Sequence, residues 1–113
     1  MSLAPVVRAH MIAVESGDPA AMAADYAIDA VIERPGMTIT GKAAIQEYFG
    51  GVPQRLGGGI VVFDSVTEDG PDAATFRWRI QGGPGDGSSG ADTVRIADGL
   101  IVHQIVRLDS TDF

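Results

Sequence analysis

Residues 25 to 49 constrain this chain more tightly than any other stretch. Within them a helix end, a short strand, a Pro35-Gly36 turn and the start of a new helix follow one another, so helices must fold directly against a sheet. Residues 30 to 34 are rich in strand formers and stop at the turn pair, after which Thr38-Ile39-Thr40 reads as extended. Residues 42 to 49 predict a helix that buries Ile45, Tyr48 and Phe49 and ends at Gly50-Gly51.

Upstream, Leu3, Val7, His10, Met11 and Val14 recur at helical spacing, Pro5 suits a first turn and Ser16-Gly17 supplies a stop, which predicts a first helix over residues 3 to 16. Asp18 followed by Pro19 reads as an N-cap and first helical residue, so a second, short helix runs to about residue 26 with Met22 and Tyr26 on one face. Residues 52 to 59 read as loop. From Ile60 the helical period gives way to alternation: Ala74, Phe76, Trp78 and Ile80 alternate with Thr75, Arg77, Arg79 and Gln81, a strand with one apolar and one basic face. The glycine-rich residues 82 to 90 read as a mobile loop that cannot pack, and no strand-loop-helix context supports a phosphate site there.

Residues 91 to 97 and 100 to 108 predict a hairpin around Asp98-Gly99. A two-residue turn would set Asp92 opposite Ile105, and a three-residue loop with a glycine bulge would set it opposite Gln104; the bulged loop is the expected register. Asp92, Val94 and Ile96 then share a face with Leu100, Val102, Gln104, Val106 and Leu108, leaving His103, Ile105 and Arg107 on the other.

Helices first and antiparallel strands after make an α+β order, a curved sheet with helices over one face, in a single domain over residues 1 to 113. A net charge of −7 opposes both nucleic-acid phosphates and anionic membrane surfaces, so neither is an expected partner. The absence of cysteine removes disulfides, thiolate nucleophiles and zinc–thiolate sites. No apolar run approaches the ~20 residues of a membrane span, the opening residues lack the regions of a secretory signal, and the cytoplasm is the expected compartment.

Asp92 is the most informative side chain, because alternation puts a carboxylate on the face of Val94 and Ile96, where its burial is costly unless it is paired or protonated. The plain alternative is a strand-end aspartate reaching water. His10 stands on the apolar stripe of the first helix, where a lone histidine is commonly a hydrogen-bonded core residue. Tyr26 carries a hydroxyl on a buried face and needs a partner for it. Arg34, before Pro35, is either a solvated strand end or a cation at a pocket mouth, holding a ligand carboxylate or pairing with Asp92. Phe76 and Trp78 read as core and pocket wall. The two histidines lie on different elements and faces, so no metal site is expected, and no serine stands on a nucleophile elbow.

These residues together resemble the SnoaL-like and ketosteroid-isomerase-like branch of the NTF2-like superfamily. The resemblance is carried by Glu15-Ser-Gly-Asp18, residues 25 to 33, residues 41 to 49 and residues 92 to 101, which follow in the family's order along nearly the whole chain. It implies a cone-shaped α+β barrel, with three N-terminal helices over a strongly curved, mainly antiparallel sheet and a deep apolar pocket. It also implies dimerisation through the outer sheet face, where Ile101, Ile105 and Val62 would otherwise be bare. Asp92 matches the family's protonated oxyanion-hole aspartic acid, an example that general treatments of acid–base tuning use. His10 matches the oxyanion-hole tyrosine, Tyr26 a buttressing tyrosine, and Phe49 replaces a third tyrosine. Arg34 stands at the position of the aspartate base, and a guanidinium cannot abstract a proton.

The expected function is therefore cofactor-independent proton transfer of isomerase, cyclase or dehydratase type on an apolar carbonyl-bearing ligand. His10 and Asp92 would be the acid/base pair and Tyr26 would orient His10. Arg34 would hold a polar or anionic part of the substrate, with Phe76, Trp78, Val94, Gln104 and Val106 around it. The alternatives are a non-catalytic binder of hydrophobic molecules and a dimeric interaction domain.

Overall fold

The computed structural model describes residues 5–109. Helix α1 (Pro5–Ser16) buries Val6, Val7, His10 and Ala13, as the helical spacing requires; the expected start at Leu3 lies outside the described residues. The Asp18 carboxylate accepts from the Ala20 backbone N–H at 3.0 Å, and Pro19 opens α2 (Pro19–Ala24). That helix stops short of Tyr26, which instead begins strand β1 (Tyr26–Arg34). Sheet pairing overrides the helical pattern here: the Ile101 N–H donates to the Asp25 carbonyl at 2.9 Å, and Tyr26 lies beside Ile101 in register. The register breaks between Tyr26 and Val31, and this irregular stretch leaves Ile28 exposed.

Strand β2 (Met37–Thr40) pairs antiparallel with β1, and α3 (Lys42–Gly50) follows, burying Ile45 and Phe49. Residues expected to be loop contain a further short helix, α4 (Val52–Leu56), with Pro53 in its first turn and Gly57, at φ +52°, closing it. Strands β3 (Ile60–Glu68), β4 (Ala73–Gln81), β5 (Ser89–Ala97) and β6 (Leu100–Leu108) form an antiparallel meander. The six-stranded sheet runs β2-β1-β6-β5-β4-β3, and among the described residues only the β1–β6 pairing is parallel. Helices α1, α2 and α3 cover the inner face of this curved sheet, the expected α+β arrangement. Tyr26, Phe76, Met22, Ile32, Ile45, Ile101, Val7 and Val94 are the largest fully buried side chains. Each such aliphatic or aromatic burial contributes about 1.5–3 kcal/mol.

The β5–β6 hairpin follows neither anticipated register. Asp98 and Gly99 both take left-handed φ, of 52° and 76°, so the turn has two residues and pairs Ala97 with Leu100. The bulge sits further along: Ile96 pairs with Ile101 and Arg95 with His103, leaving Val102 as the extra residue. Asp92 therefore opposes Val106, two positions beyond the expected Gln104. A displacement of two preserves side-chain parity, so Asp92, Val94, Gln104, Val106 and Leu108 share the inner face as anticipated. On the turn side of the bulge the faces exchange: Ile101 is fully buried and Leu100 is exposed. Ile101 thus leaves the outer patch on which dimerisation was expected, and Ile105 and Val62 are half-buried.

The glycine-rich segment also departs from expectation, because it packs. Gly82 donates to the Asp86 carboxylate at 2.7 Å, and Gly87 donates to the Ile80 carbonyl at 3.0 Å. A Cβ on Gly83 would lie 2.1 Å from the Leu56 carbonyl oxygen, and one on Gly59 would lie 2.3 Å from the Gly82 oxygen. Glycine here permits backbone-to-backbone contact between this segment and the end of α4.

Candidate active site

Between the helices and the inner sheet face lies a cavity of about 80 Å³. His10 reaches it from α1, Tyr48 and Phe49 from α3, and Arg55 from α4, while Arg34, Phe76, Trp78, Asp92, Gln104 and Val106 reach it from the strands. The placement of Trp78 depends on Gly90, its partner across the β4–β5 pair. A Cβ at Gly90 would come within 2.6 Å of the indole ring. With that space open, the indole N–H donates to Asp92 Oδ1 at 2.9 Å.

A buried chain of polar groups runs from Asp92 to α1. Gln104 Nε2 donates to Asp92 Oδ2 at 2.9 Å, the Tyr26 hydroxyl donates to Gln104 Oε1, and that hydroxyl stands 3.4 Å from His10 Nε2. The order of protons follows from the ends. A carboxylate at Asp92 only accepts, so Gln104 turns its amide nitrogen toward it and its oxygen toward Tyr26, and Tyr26 must give its single proton to that oxygen. Tyr26 then presents a lone pair to His10, which makes His10 Nε2 the donor. At the far end, His10 Nδ1 and Asp25 Oδ2 are 3.7 Å apart, and both are buried with no hydrogen-bond partner among the described residues. An imidazolium offers a proton at both nitrogens and serves both ends; a neutral imidazole serves one. Leaving such groups unsatisfied costs about 1–3 kcal/mol each.

Burial pushes the Asp92 carboxyl up to about 6, against the opposing hydrogen bond from Trp78, the charge of His10, the hydrogen bond from Gln104 and the charge of Arg34. Asp92 keeps some accessible surface, and it lines the cavity. An acid of this kind is a carboxylate at neutral pH yet basic enough to take a proton. Tyr26 is pushed well above the usual phenol value, first by burial and then by the negative charge of Asp92. It remains a phenol and can only pass or donate a hydrogen bond.

Arg34 does not pair with Asp92. Its Nη1 donates to the Tyr48 hydroxyl at 2.6 Å, and its charge reaches Asp92 only as a weak field. The Arg55 guanidinium lies 5.1 Å from the centre of the Tyr48 ring and that of Arg34 5.7 Å from it. Each is within cation–π range.

Of the residues anticipated from sequence, His10, Arg34, Phe76, Trp78, Asp92, Gln104 and Val106 meet at the cavity. Tyr26 and Val94 are fully buried and do not line it. Tyr26 acts from behind, through hydrogen bonds, and Val94 packs in the core. His103 lies away from the cavity, with Nε2 2.5 Å from Glu33 Oε2, as its outer-face position implies. Asp25, Tyr48 and Arg55 were missed. Asp25 caps a helix that was expected to continue past it, and Arg55 sits on the helix read as loop. Tyr48 was read only as buried apolar surface.

Residues 7–104 match the family described as a SnoaL-like domain. No curated protein matches the chain in sequence. Among solved structures, a candidate polyketide cyclase from Sinorhizobium meliloti is 25% identical with a TM-score of 0.79, over 93% of this chain and 95% of that one. An NTF2-like protein from Mesorhizobium loti is 24% identical with a TM-score of 0.80, over 93% and 88%. A candidate ketosteroid isomerase from Kribbella flavida is 18% identical with a TM-score of 0.77, over 97% and 79%.

Proposed function

Because the chain belongs to the SnoaL-like domain family, we propose that its cavity carries out proton transfer on a small carbonyl compound, of the isomerase, cyclase or dehydratase type. The observation that supports this reading is one continuous chain from Asp92 through Gln104 and Tyr26 to His10, with both end groups at the cavity wall. Asp92 would take a proton from carbon next to the carbonyl. The proton returns at another carbon, or leaves with a departing hydroxyl as water. His10 would supply the compensating acid, Tyr26 would hold His10 in line, and Arg34 would fix the polar end of the substrate.

The reading can be tested before a natural substrate is known. Small enolisable ketones and keto acids incubated with the protein in heavy water should exchange the hydrogen next to the carbonyl, and Asp92→Asn should abolish the enhancement. If neither Asp92→Asn nor His10→Ala changes exchange across the panel while ligands still bind, the protein is a binder. One feature favours that second reading: Arg34 occupies the position of the family's aspartate base. Association through the outer sheet face belongs to the same proposal and is checked by sedimentation.

A further inference from the structure

The chain has two tyrosines, and they use their hydroxyl protons differently. Tyr26 is fully buried, does not line the cavity and gives its proton to Gln104. Tyr48, in the last turn of α3, is half-buried and lines the cavity. Its oxygen accepts from Arg34 Nη1 at 2.6 Å. A guanidinium has donors and no acceptor, so Arg34 fixes the direction of that oxygen without taking its proton. Among the described residues no hydrogen bond uses the Tyr48 proton. The ring is held as well: the Phe49 ring packs on it at 5.4 Å between centres, and the cation of Arg34 stands 5.7 Å from its centre. A hydrogen bond accepted from a cation polarises the O–H that is left free and makes it a stronger donor.

The proton-transfer reading needs such a donor. Taking a proton from carbon next to a carbonyl puts negative charge on the carbonyl oxygen, and a donor already aimed at that oxygen lowers the barrier. The other neutral donors on the cavity wall are engaged. The Trp78 indole N–H and Gln104 Nε2 both go to Asp92, and His10 Nε2 faces the Tyr26 hydroxyl. Asp92 as a carboxylate only accepts.

We propose that Tyr48 is a further catalytic residue, whose hydroxyl donates to the carbonyl oxygen of the ligand and stabilises the charge that appears there when Asp92 removes the neighbouring proton. This deepens the proton-transfer reading above and rests on it. The C–H electron pair becomes a carbon–carbon double bond, the carbonyl π pair moves onto oxygen, and the proton goes to Asp92. Return of a proton to carbon reverses each change, so no oxidant or reductant is needed. Arg34 then fixes the polar end of the ligand through Tyr48, as a positioning residue.

Cyclohexanone labelled with ¹³C at the carbonyl is the probe, and the single tryptophan, Trp78, reports occupancy by its fluorescence because it lines the cavity. A carbonyl that leaves water gives up its hydrogen bonds, so a cavity without a donor moves its resonance upfield, whereas a polarised phenol moves it downfield. The wild type should move it downfield and Tyr48→Phe upfield. Arg34→Gln should lose part of the downfield movement and Arg34→Lys should recover most of it. In heavy water Tyr48→Phe should exchange the hydrogens next to the carbonyl about 10²–10³-fold more slowly than wild type. A downfield movement retained in Tyr48→Phe overturns the assignment. The wild-type resonance needs no variant, so the test stands even if Tyr48→Phe fails to fold. An upfield movement in the wild type with exchange intact overturns the role of Tyr48 alone. A downfield movement with no exchange overturns the proton-transfer reading and leaves Tyr48 as a donor in binding. No saturable change in either signal overturns both.

Discussion

The two faces of this sheet treat charge in opposite ways. On the outer face Arg77 Nη2 donates to Asp109 at 2.5 Å, Arg79 Nε to Asp64 at 3.0 Å, and His103 meets Glu33. The Ser89 hydroxyl, and after it Arg77, hold the Asp109 carboxyl below its ordinary value. Water and partners both favour the ionised form there. On the inner face the Asp92 carboxyl is raised to about 6, Arg34 lacks an acid among the described residues, and His10 Nδ1 faces Asp25 across 3.7 Å without a hydrogen bond. Charges of the outer kind keep a protein soluble. Charges of the inner kind oppose folding and persist where a ligand or a reaction uses them.

Asp92→Asn breaks this contrast most severely. Loss of the proposed base should lower any proton-transfer rate by about 10²–10⁴-fold. Stability should move the other way, with the following sign. Between the ordinary carboxyl value and about 6 the folded state holds the Asp92 proton while the unfolded chain has released it, so stability falls as pH rises through that window. Above it the folded protein carries a destabilisation of at most about 3 kcal/mol, from the difference between 3.8 and about 6. The asparagine variant should therefore melt higher than wild type at pH 8, and the gap should close as the pH falls through that window. Urea unfolding across pH gives both numbers.

Gly90→Ala comes next, because it disturbs the inner face by shape alone. The new methyl would lie 2.5 Å from the Arg107 carbonyl oxygen and 2.6 Å from the Trp78 ring. Overpacking of this kind costs about 1–3 kcal/mol. If the indole moves, Asp92 loses the hydrogen bond that most opposes its upward shift, and the acid limb of a pH–rate profile should move to higher pH. A stability loss with an unmoved profile would show that Trp78 does not tune Asp92.

The inner face was legible in sequence wherever strict alternation held. Phe76, Trp78 and Asp92 fell on the correct side because the β4–β5 pairing has no irregularity around them. Gln104 and Val106 were placed correctly because the hairpin register erred by two, which keeps parity. Ile101 and Leu100 were placed wrongly because one extra residue, Val102, reverses the faces, and nothing in the local sequence marks where a bulge must fall. Tyr26 was assigned to a helix because its spacing from Met22 is helical, whereas its fate is decided by a strand some 75 residues away. Arg55 was hidden by a glycine-rich context that suggested loop, although Pro53 and Gly57 bracket a helical turn. The fold thus emerged from local periodicity. The site's electrostatics depend on long-range register, which local patterns do not encode.

Asp25→Asn acts more gently and tests the proton order along the polar chain. An amide can donate to His10 Nδ1, which a carboxylate cannot, so the stability change should stay within about 1 kcal/mol. The readout is the Tyr26 side of the ring: ¹⁵N spectra should show Nε2 carrying a proton in the wild type and in the variant alike. Only His103 shares the spectrum, and on the outer face it should not respond. A wild-type His10 with a bare Nε2 would reverse the proton order derived from Gln104 and Tyr26.

Arg79→Gln should do least, and its smallness is what gives the larger effects meaning. The Arg79–Asp64 pair is close to half exposed on both sides, so water already solvates each charge and side-chain ordering offsets much of the attraction. Its loss should cost a few tenths of a kcal/mol, vanish in high salt, and leave the His10 spectrum untouched. A cost as large as that of Gly90→Ala would mean that the outer pairs also hold the sheet in shape. The raised acid at Asp92 would then be one local instance of a sheet held together by charge, and the difference between the faces would no longer mark a site.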